Sequence, residues 1–435
     1  MASVVVVGGG LAGLAVAARL ARQRHGVTLL DRAVPGAASG TTDDPASFTL
    51  PAVYRDLFRK TGRPLEPGVR LVPVEPARRY LFPDGRVLDL PTGSRKAMLE
   101  AFDHGLGRAA ATEWDAFVSS GGARWRAVRH RLGPDGASRN SAGLVVQPAR
   151  LEDPANRMLL AWYADDAGLG AALGSARLAG DLAVLPYLEQ AFGAWQVDGG
   201  LRALAAATAE RARRCGAALL GGSEVVQVVV QDGAVRGVRT ADGSTYDAEL
   251  VVDAVGLPAR DRGGWHEDAG PAGLATATVH LRSAELDGLP VETVLLPARG
   301  RQGMVLVRPD VAADPTAAEL RSTVPVAPAA GDEGALARHL LATIAGAGIA
   351  VAGEVTGVSV RSTRSVRAPE RGRWWTRRSS TAGWLDLRSA SIDPDLDGML
   401  RALPHIAGAL AVPWQGLAAA LAASSCGTVP RRTTG

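Results

Sequence analysis

The sequence predicts an α/β fold, and three features near its N-terminus carry the prediction. Residues 4–7 are four consecutive valines, a short β-branched run that is typical of a strand buried on both faces. Residues 11–22 are rich in alanine and leucine and predict a helix, and residues 27–30 predict a second apolar strand. Because strand, helix and strand in this order build a parallel sheet, we expect a Rossmann-type domain.

A glycine-rich turn joins the first strand to the helix. Gly8, Gly10 and Gly13 have the spacing G-x-G-x-x-G. In this arrangement the first glycine permits a tight turn, the second lets the backbone approach a pyrophosphate, and the third lets helix and strand pack closely. The spacing is unspecific by itself, but its position between a strand and a helix predicts a dinucleotide site.

The start of the helix and the end of the second strand complete the predicted site. Free N–H groups and the positive end of the helix dipole attract phosphate to a helix N-terminus. Asp31 lies 18 positions after Gly13, near the roughly 20 expected for an acid that binds a ribose hydroxyl. The cofactor-binding residues predicted in this unit are Gly8, Gly10, Leu11, Ala12, Gly13, Asp31 and Arg32.

Three apolar runs in the middle of the chain predict a β-meander. They cover residues 223–230, 234–240 and 244–252, and Asp-Gly turns join them. A dinucleotide motif followed much later by a helix, a meander and a returning strand is typical of two-domain FAD enzymes, whereas simple NAD dehydrogenases have a continuous cofactor domain. The sequence therefore favours FAD, with Val225 and Gly256 as further candidate contacts.

Length and composition narrow the class of protein. At 435 residues the chain is too long for one simple core, so two domains are expected. The net charge is +4, and 46 of the 48 basic residues are arginines. No lysine-rich run or aromatic ladder indicates nucleic-acid binding. The arginines favour contact with an anionic bilayer surface or, as the simpler interpretation, form solvated faces.

Export, membrane insertion and a covalent flavin link are not expected. The first strand begins at residue 4, which leaves no apolar segment for a signal peptide. No run approaches the roughly 18–20 apolar residues of a membrane span. Cys215 and Cys426 have no metal or redox spacing, and Cys426 follows the last predicted helix. We therefore expect a cytoplasmic protein, with peripheral contact to the inner membrane face as an additional expectation.

Hydrophobic spacing and turn residues predict the remaining elements. Residues 79–91 predict a hairpin that turns at Pro83-Asp84-Gly85. A helical pattern over residues 96–132 is broken at Gly121-Gly122. Further helical patterns cover residues 50–61, 133–195, 201–215 and 417–423.

Several of these stretches are similar to one family of flavoproteins. Besides the glycine motif and the meander, they are residues 50–66, 80–91, 182–217 and 404–423. In them the chain resembles the phytoene desaturase family, bacterial FAD-dependent carotenoid oxidoreductases within the amine-oxidase-like flavoproteins. The resemblance implies non-covalent FAD, hydride abstraction from an apolar isoprenoid or carotenoid-like substrate, and oxygen or a quinone as electron acceptor. It also implies cofactor contacts in the closing motif at Gly408, Leu410 and Gly416.

Departures from the family pattern bear on function. Where the family has Gly-Gly-Arg or Gly-Gly-Lys after the acid, this chain has Pro35-Gly36-Ala37, so a basic contact with the pyrophosphate is missing. Asp31 replaces the commoner glutamate, and residues 289–297 lack the paired histidines often found there. The closing motif has lost its flanking glycines. Two alternatives stay open: an FAD oxidase or desaturase of an amine or secondary-metabolite intermediate, and a non-catalytic partner protein with the FAD fold.

Both domains are expected to be discontinuous in sequence. We expect an inserted α+β substrate domain from residues 76–189 and 266–384. The Rossmann-type FAD-binding domain would then consist of residues 1–75, 190–265 and 385–435.

The substrate site is expected to be an apolar tunnel beside the flavin. Residues 96–195 are largely helical, and residues 159–163 and 182–188 supply apolar side chains. With strands near residues 275–281, they would bound a tunnel for an elongated hydrocarbon. A small amine would instead require an aromatic cage or a carboxylate close to the ring.

No side chain is predicted to be catalytic, because the flavin itself accepts the hydride. For the aromatic residues expected near the substrate, core packing is the simpler interpretation. For Asp165-Asp166 it is a helix cap or a solvated turn. His280 lies in an alternating strand and is interpreted as a hydrogen-bonded sheet residue rather than a base. The candidates near the substrate are Tyr163, Asp165, Asp166, Tyr187, Glu189 and Trp195.

Overall fold

The computed structural model describes most of the first 255 residues and several later segments. The described residues are 1–37, 45–66, 68–132, 151–166, 182–255, 274–282, 289–297, 305–309, 317–325, 333–349, 354–362, 399–401 and 411–425. The helices are α1 (Leu11–Arg22), α2 (Ala52–Thr61), α3 (Arg95–Leu106), α4 (Arg108–Leu132), α5 (Pro154–Asp166), α6 (Val184–Phe192), α7 (Gly200–Arg214), α8 (Glu333–Gly346) and α9 (Ala411–Ser425). The strands are β1 (Ser3–Val7), β2 (Gly26–Leu30), β3 (Leu71–Val74), β4 (Arg78–Leu81), β5 (Val87–Leu90), β6 (Ala194–Val197), β7 (Ala218–Leu220), β8 (Val225–Gln231), β9 (Ala234–Thr240), β10 (Thr245–Asp247), β11 (Leu250–Asp253), β12 (Leu274–Arg282), β13 (Thr293–Leu295), β14 (Val305–Pro309), β15 (Ala317–Pro325), β16 (Glu354–Ser362) and β17 (Met399–Arg401).

A parallel five-stranded sheet contains the predicted strand–helix–strand unit. Its strands lie in the order β17-β11-β1-β2-β7, and every neighbouring pair is parallel. The valines of β1 are buried in the middle of this sheet, as expected for a strand covered on both faces. The sheet confirms the predicted α/β fold and takes its strands from three separated parts of the chain.

Helices cover one face of the parallel sheet. Nearly every residue of α1 is buried there, because its alanines let neighbouring helices approach closely. Ala205 and Ala209 of α7 pack in the same core, and so do Ala419 and Ala422 of α9. The predicted C-terminal helix therefore packs in one core with the helix that follows the glycine motif.

The β-meander covers the opposite face. β10, β9 and β8 form an antiparallel sheet, and Val235 and Val238 from it pack on Val5 and Val251 of the parallel sheet. The third predicted run is divided in two: β10 stays in the meander and β11 joins the parallel sheet. Backbone N–H groups of Ala248 and Glu249, between the two strands, donate to carbonyls in β9 and β1, which redirects the chain.

A mixed seven-stranded sheet forms the second layer, in the order β16-β12-β15-β14-β13-β4-β5. The predicted hairpin is present in it as β4 and β5. On one face Val279 and Leu320 pack on α8 through Leu340. On the other face, Tyr80 and Val294 pack in a core that also contains side chains from α3, α4, α5 and α6.

The helical region 96–132 is interrupted at Gly107, so the predicted break at Gly121-Gly122 is wrong. Gly107 has φ +95°, and its N–H donates to the carbonyls of Phe102 and Asp103, which ends α3. The paired glycines lie inside α4. A Cβ at Gly121 would collide with backbone atoms of Ala183. Gly121 is therefore required for close packing between α4 and the start of α6.

Replacing Gly121 by alanine is expected to destabilise the protein by about 1–3 kcal/mol, because the added methyl group overpacks the contact with Ala183. Urea denaturation followed by circular dichroism measures the change. The matched control is Gly346→Ala at the end of α8, where a Cβ meets no atom within 4 Å and little change is expected. Equal free energies of unfolding for the two variants would contradict the packing role.

Among the helices within the described residues, none is both long enough and apolar enough to cross a membrane.

Candidate functional site

The glycine motif forms a tight loop at the carboxyl end of β1. Gly8 has φ +107°, a conformation that side chains other than glycine rarely adopt, and its N–H donates to the carbonyl of Leu30 (2.8 Å). A Cβ at Gly13 would overlap the carbonyl oxygen of Gly8. Both glycines are thus needed to bring α1 against β1, as the sequence predicts.

The space around Gly10 is open. Gly10 is the N-cap of α1, with φ −73° and ψ 177°, and a Cβ there would meet no atom within 4 Å. No side chain caps the helix, and its first turn holds no acidic residue. The first N–H groups of the helix, at Leu11 and Ala12, are therefore available to an anion, and the open space leaves room for it.

Asp31 ties the second strand to this loop. Its Oδ2 accepts a hydrogen bond from the N–H of Gly9, and its Oδ1 accepts one from the N–H of Ala33 (2.7 Å). Each oxygen keeps a lone pair for a further donor such as a ribose hydroxyl. The carboxylate is only partly buried, which fits the predicted role.

The meander begins beside Asp31. The N–H of Ser223 donates to the backbone carbonyl of Asp31 (2.8 Å), and the N–H of Asp31 donates to the carbonyl of Leu220 (3.0 Å). Val225, two residues further on, is buried at the start of β8. The structure therefore brings Val225 to the Asp31 side of the loop, while the side chain of Arg32 is exposed.

Three exposed apolar side chains surround the same edge of the sheet. Val34 is 66% exposed, Leu220 is 37% exposed and Val255 is 54% exposed. Val34 lies close to the residue that follows Leu220, and Val255 lies against Gly8. A dinucleotide on the loop would cover such surface. Together with the open helix N-terminus, this arrangement fits a bound dinucleotide.

The segment after Asp31 packs over the loop instead of offering a basic group to it. The N–H of Gly36 donates to the carbonyl of Gly9 (2.9 Å), and a Cβ at Gly9 would lie 2.8 Å from Cα of Pro35. Pro35 and Gly36 therefore fix the loop through the backbone. This segment takes the place of the family's Gly-Gly-Arg.

The closing motif is only partly described. Gly408 and Leu410 lie outside the described residues, as do Gly256 and Cys426. Gly416 lies in α9, where a Cβ would collide with Cγ1 of Val53 in α2. The structure therefore explains Gly416 by close helix packing, and its predicted cofactor contact stays a prediction.

A buried ionic cluster lies in the core beside the seven-stranded sheet. The guanidinium of Arg78, in β4, pairs with Glu189 of α6 and Glu292, and all three side chains are almost completely buried. It also stacks over the Trp162 ring, 4.4 Å from the centroid. Tyr163 donates its hydroxyl hydrogen to Oε2 of Glu189 (2.6 Å). The cluster links four segments that are distant in sequence.

Burial and charge shift the pKa values of this cluster. Burial opposes the charged form of Arg78, but the carboxylates of Glu189 and Glu292 outweigh it and raise the pKa of Arg78 above its usual range. Burial, with the nearby charge of Glu189, raises the pKa of Tyr163. The arginine therefore stays charged and the tyrosine stays protonated at physiological pH.

The candidates predicted near the substrate do not form one site. Tyr163 and Glu189 belong to the buried cluster, whereas Tyr187 packs beside Gly122 of α4. Trp195 lies in β6 under the guanidinium of Arg55. The negative charge of Asp166 contributes to the raised pKa of Arg78. The side chain of Asp165 does not belong to the part of the chain that the structure describes.

The apolar side chains assigned to the tunnel are packed in a core. Leu159, Trp162, Leu182 and Leu188 are each less than 5% exposed and belong to one cluster with Tyr80. They fill space between the helices and the seven-stranded sheet. The tunnel itself stays a prediction.

His280 has the partner that the sequence interpretation expects. Its Nδ1 lies 3.6 Å from Oε1 of Glu319 on the neighbouring strand β15, and Arg321 pairs with the same carboxylate (3.0 Å). These three side chains form a polar row on the sheet, which accounts for His280 as a sheet residue.

Sequence reasoning missed Arg78 and Glu292. Both are charged residues next to apolar strand positions. A charge at a position that is expected to face the core was therefore the one sequence feature that could have indicated them. Their pairing across 214 residues of sequence was not visible in the pattern.

Comparison with known proteins identifies the family. Residues 3–375 match the model of the DAO family, described as FAD dependent oxidoreductase. Hydroxyneurosporene desaturase from Cereibacter sphaeroides is 31% identical over 305 residues, which cover 62% of this chain and 59% of that protein. All-trans-zeta-carotene desaturase from Myxococcus xanthus is 31% identical over 57% of this chain and 51% of its own length. The chain thus spans between half and three-fifths of the length of these relatives.

Solved structures with low sequence identity share the fold. An oxidoreductase from Methanosarcina mazei superposes with a TM-score of 0.57 at 14% identity, covering 96% of this chain and 98% of that one. A redesigned putrescine oxidase gives a TM-score of 0.58 at 14% identity and 98% coverage of both chains. The loop geometry fits a dinucleotide and the family match indicates that it is FAD, so the chain belongs to the family of FAD-dependent oxidoreductases.

Proposed function

We propose that this chain desaturates an apolar isoprenoid or carotenoid-like substrate with FAD. The observation that carries the proposal is the 31% identity with two proteins named as carotenoid desaturases, over 305 residues in the longer match. The glycine loop and Asp31 support the cofactor half of the proposal through their geometry.

The reaction removes one hydride and one proton from adjacent carbons of the substrate. Bound FAD supplies the hydride acceptor. The chain contributes the N–H groups of the α1 N-terminus toward the pyrophosphate and the Asp31 carboxylate toward the ribose. An oxygen or quinone acceptor would then take up the two electrons and two protons, as hydrogen peroxide or a quinol, which completes the cycle. No side chain is assigned as an acid or base.

The predicted division into two domains is part of the proposal. Its support is that the parallel sheet takes all its strands from residues 1–75, 190–265 and 385–435, whereas the seven-stranded sheet takes its strands from 76–189 and 266–384. A substrate domain of this kind would hold the hydrocarbon beside the flavin in an apolar tunnel. Such substrates dissolve in bilayers. The proposal therefore includes a contact between an arginine-rich surface of the protein and an anionic membrane.

Anaerobic flavin reduction tests the function. The purified protein is expected to be yellow, and an isoprenoid substrate should bleach its flavin absorption and yield a product that lacks two hydrogen atoms. Candidate isoprenoids and amines are compared under the same conditions, and mass spectrometry identifies the product. Bleaching by amines alone would favour the alternative oxidase. A colourless protein that takes up no added FAD would favour the non-catalytic partner.

A further inference from the structure

Asp253 lies at the carboxyl end of β11, next to the glycine loop. Its side chain is completely buried, and the residue pairs with Val7 of β1 in the parallel sheet. Cofactors bind at the carboxyl ends of the strands in such sheets. Asp31 holds the loop from the β2 side, whereas Asp253 lies on the opposite side, where the sequence predicted no contact before Gly256.

The carboxylate of Asp253 fixes the residues that follow it. Its Oδ1 accepts a hydrogen bond from the N–H of Val255 (2.9 Å), and the N–H of Ala254 donates to the carbonyl of Val7 (2.9 Å). The first bond closes a turn directly after the strand, and the second extends the pairing with β1 to Ala254. Val255 is thereby held over the loop, although its own side chain is 54% exposed.

Val255 is the direct neighbour of the first glycine in the motif. A Cβ placed on Gly8 would collide with Cγ1 of Val255 and would lie 3.4 Å from the carbonyl carbon of Ala254. The valine therefore touches the backbone of the loop on one side and is open to solvent on the other. An exposed apolar side chain in this position is the surface that a bound dinucleotide would cover.

We propose that Asp253 is a positioning residue for FAD, which holds Val255 as a wall of the dinucleotide cleft against Gly8. The inference rests on the assignment of FAD to this loop. The hydrogen bond to the N–H of Val255, rather than the negative charge, does the positioning. Asparagine can make the same bond, whereas alanine cannot.

Measurement of FAD affinity by quenching of flavin fluorescence tests the proposal on the purified full chain. Asp253→Asn is expected to bind FAD within about twofold of wild type, because its amide oxygen accepts the same bond. Asp253→Ala is expected to weaken FAD binding by about tenfold, since the turn is released. Val255→Ala leaves the turn intact but removes two methyl groups from the wall, and a loss of about tenfold is expected.

The matched control is Asp242→Ala. Asp242 Oδ1 accepts a hydrogen bond from the N–H of Ser244 (3.0 Å), two residues further along the chain, as Asp253 does from Val255. This second turn lies between β9 and β10 in the meander. This variant should keep wild-type FAD affinity, whatever happens to its melting temperature. Because Asp253 is buried whereas Asp242 is exposed, the melting temperature of each variant is measured beside its FAD affinity, which separates a loss of stability from a loss of binding.

Several outcomes would overturn the proposal. If both Asp253→Ala and Val255→Ala bind FAD with wild-type affinity, Val255 does not form a wall of the cleft. If Asp253→Asn and Asp253→Ala weaken binding equally, the negative charge of Asp253 is responsible and not its hydrogen bond. If Asp253→Ala does not fold, Val255→Ala still tests the wall, because its side chain is at the surface, and wild-type affinity in that variant would then overturn the proposal. A wild-type chain that binds no FAD would overturn the cofactor assignment together with this inference, whereas the variant results contradict the inference alone.

Discussion

A valine in place of Gly10 is expected to give a folded protein that retains about a tenth or less of the wild-type FAD content, because backbone and pyrophosphate must approach closely there. The backbone at Gly10 has φ −73° and ψ 177°, which valine adopts without strain. Its Cβ would meet no protein atom within 4 Å. The side chain would therefore fill the space that the protein leaves open for the cofactor.

The flavin-to-protein absorption ratio after purification measures this effect, and circular dichroism checks the fold. Gly26→Val is the matched control: it adds the same side chain at the start of β2, where the nearest atom to a Cβ is 3.9 Å away. That variant should keep its FAD. Gly13→Val should instead impair folding, because its Cβ overlaps the Gly8 carbonyl. Full flavin content in Gly10→Val would show that the phosphate loop is wrongly assigned.

Local pattern was sufficient to predict the dinucleotide unit. The helix predicted over residues 11–22 has the same bounds in the structure, and Asp31 follows β2 and accepts a hydrogen bond from the loop, a contact that the sequence did not predict. All the residues involved lie within 31 positions of one another, and their spacing reflects backbone geometry that any such loop requires. The same holds for the hairpin of β4 and β5, because the predicted turn residues Pro83-Asp84-Gly85 lie between the two paired strands.

Packing between distant segments was not visible in the sequence. Gly121 had the pattern of a helix break, but the structure uses it to admit the backbone of Ala183. The run over residues 244–252 had the pattern of one strand, yet the backbone bonds of Ala248 and Glu249 redirect it into a second sheet. In both cases a contact with another segment decides the outcome, and periodicity within the segment carries no information on that contact.

The site residues divide in the same way. Gly8 and Gly13 have packing roles set by their own loop, which the structure bears out, whereas the contact of Asp31 with a ribose stays a prediction. Tyr163 and Glu189 were chosen for their chemistry, but their surroundings depend on Arg78 and Glu292 from other segments. A buried charge pair can be recognised only when both partners are known.

Replacing Arg78 by methionine is expected to destabilise the protein by about 3–5 kcal/mol, because it leaves two buried carboxylates without their cation. Arg78 is 1% exposed, and both Glu189 and Glu292 are also buried, so water cannot take over the role of the guanidinium. Methionine keeps most of the side-chain volume over the Trp162 ring, which limits the effect of a cavity. Urea denaturation of wild type and variant gives the free-energy difference.

The neighbouring arginine supplies the control. Arg79 pairs with Asp89 through two hydrogen bonds (2.6 and 2.8 Å), but both side chains are substantially exposed. Arg79→Met should therefore cost about 1 kcal/mol or less. The triple variant Arg78→Met, Glu189→Gln and Glu292→Gln removes the unpaired charges and should recover much of the lost stability, because neutral groups in a closed core avoid the penalty of a buried charge. If Arg78→Met and Arg79→Met lower stability equally, or if the triple variant recovers nothing, the buried charges are not what makes Arg78 necessary.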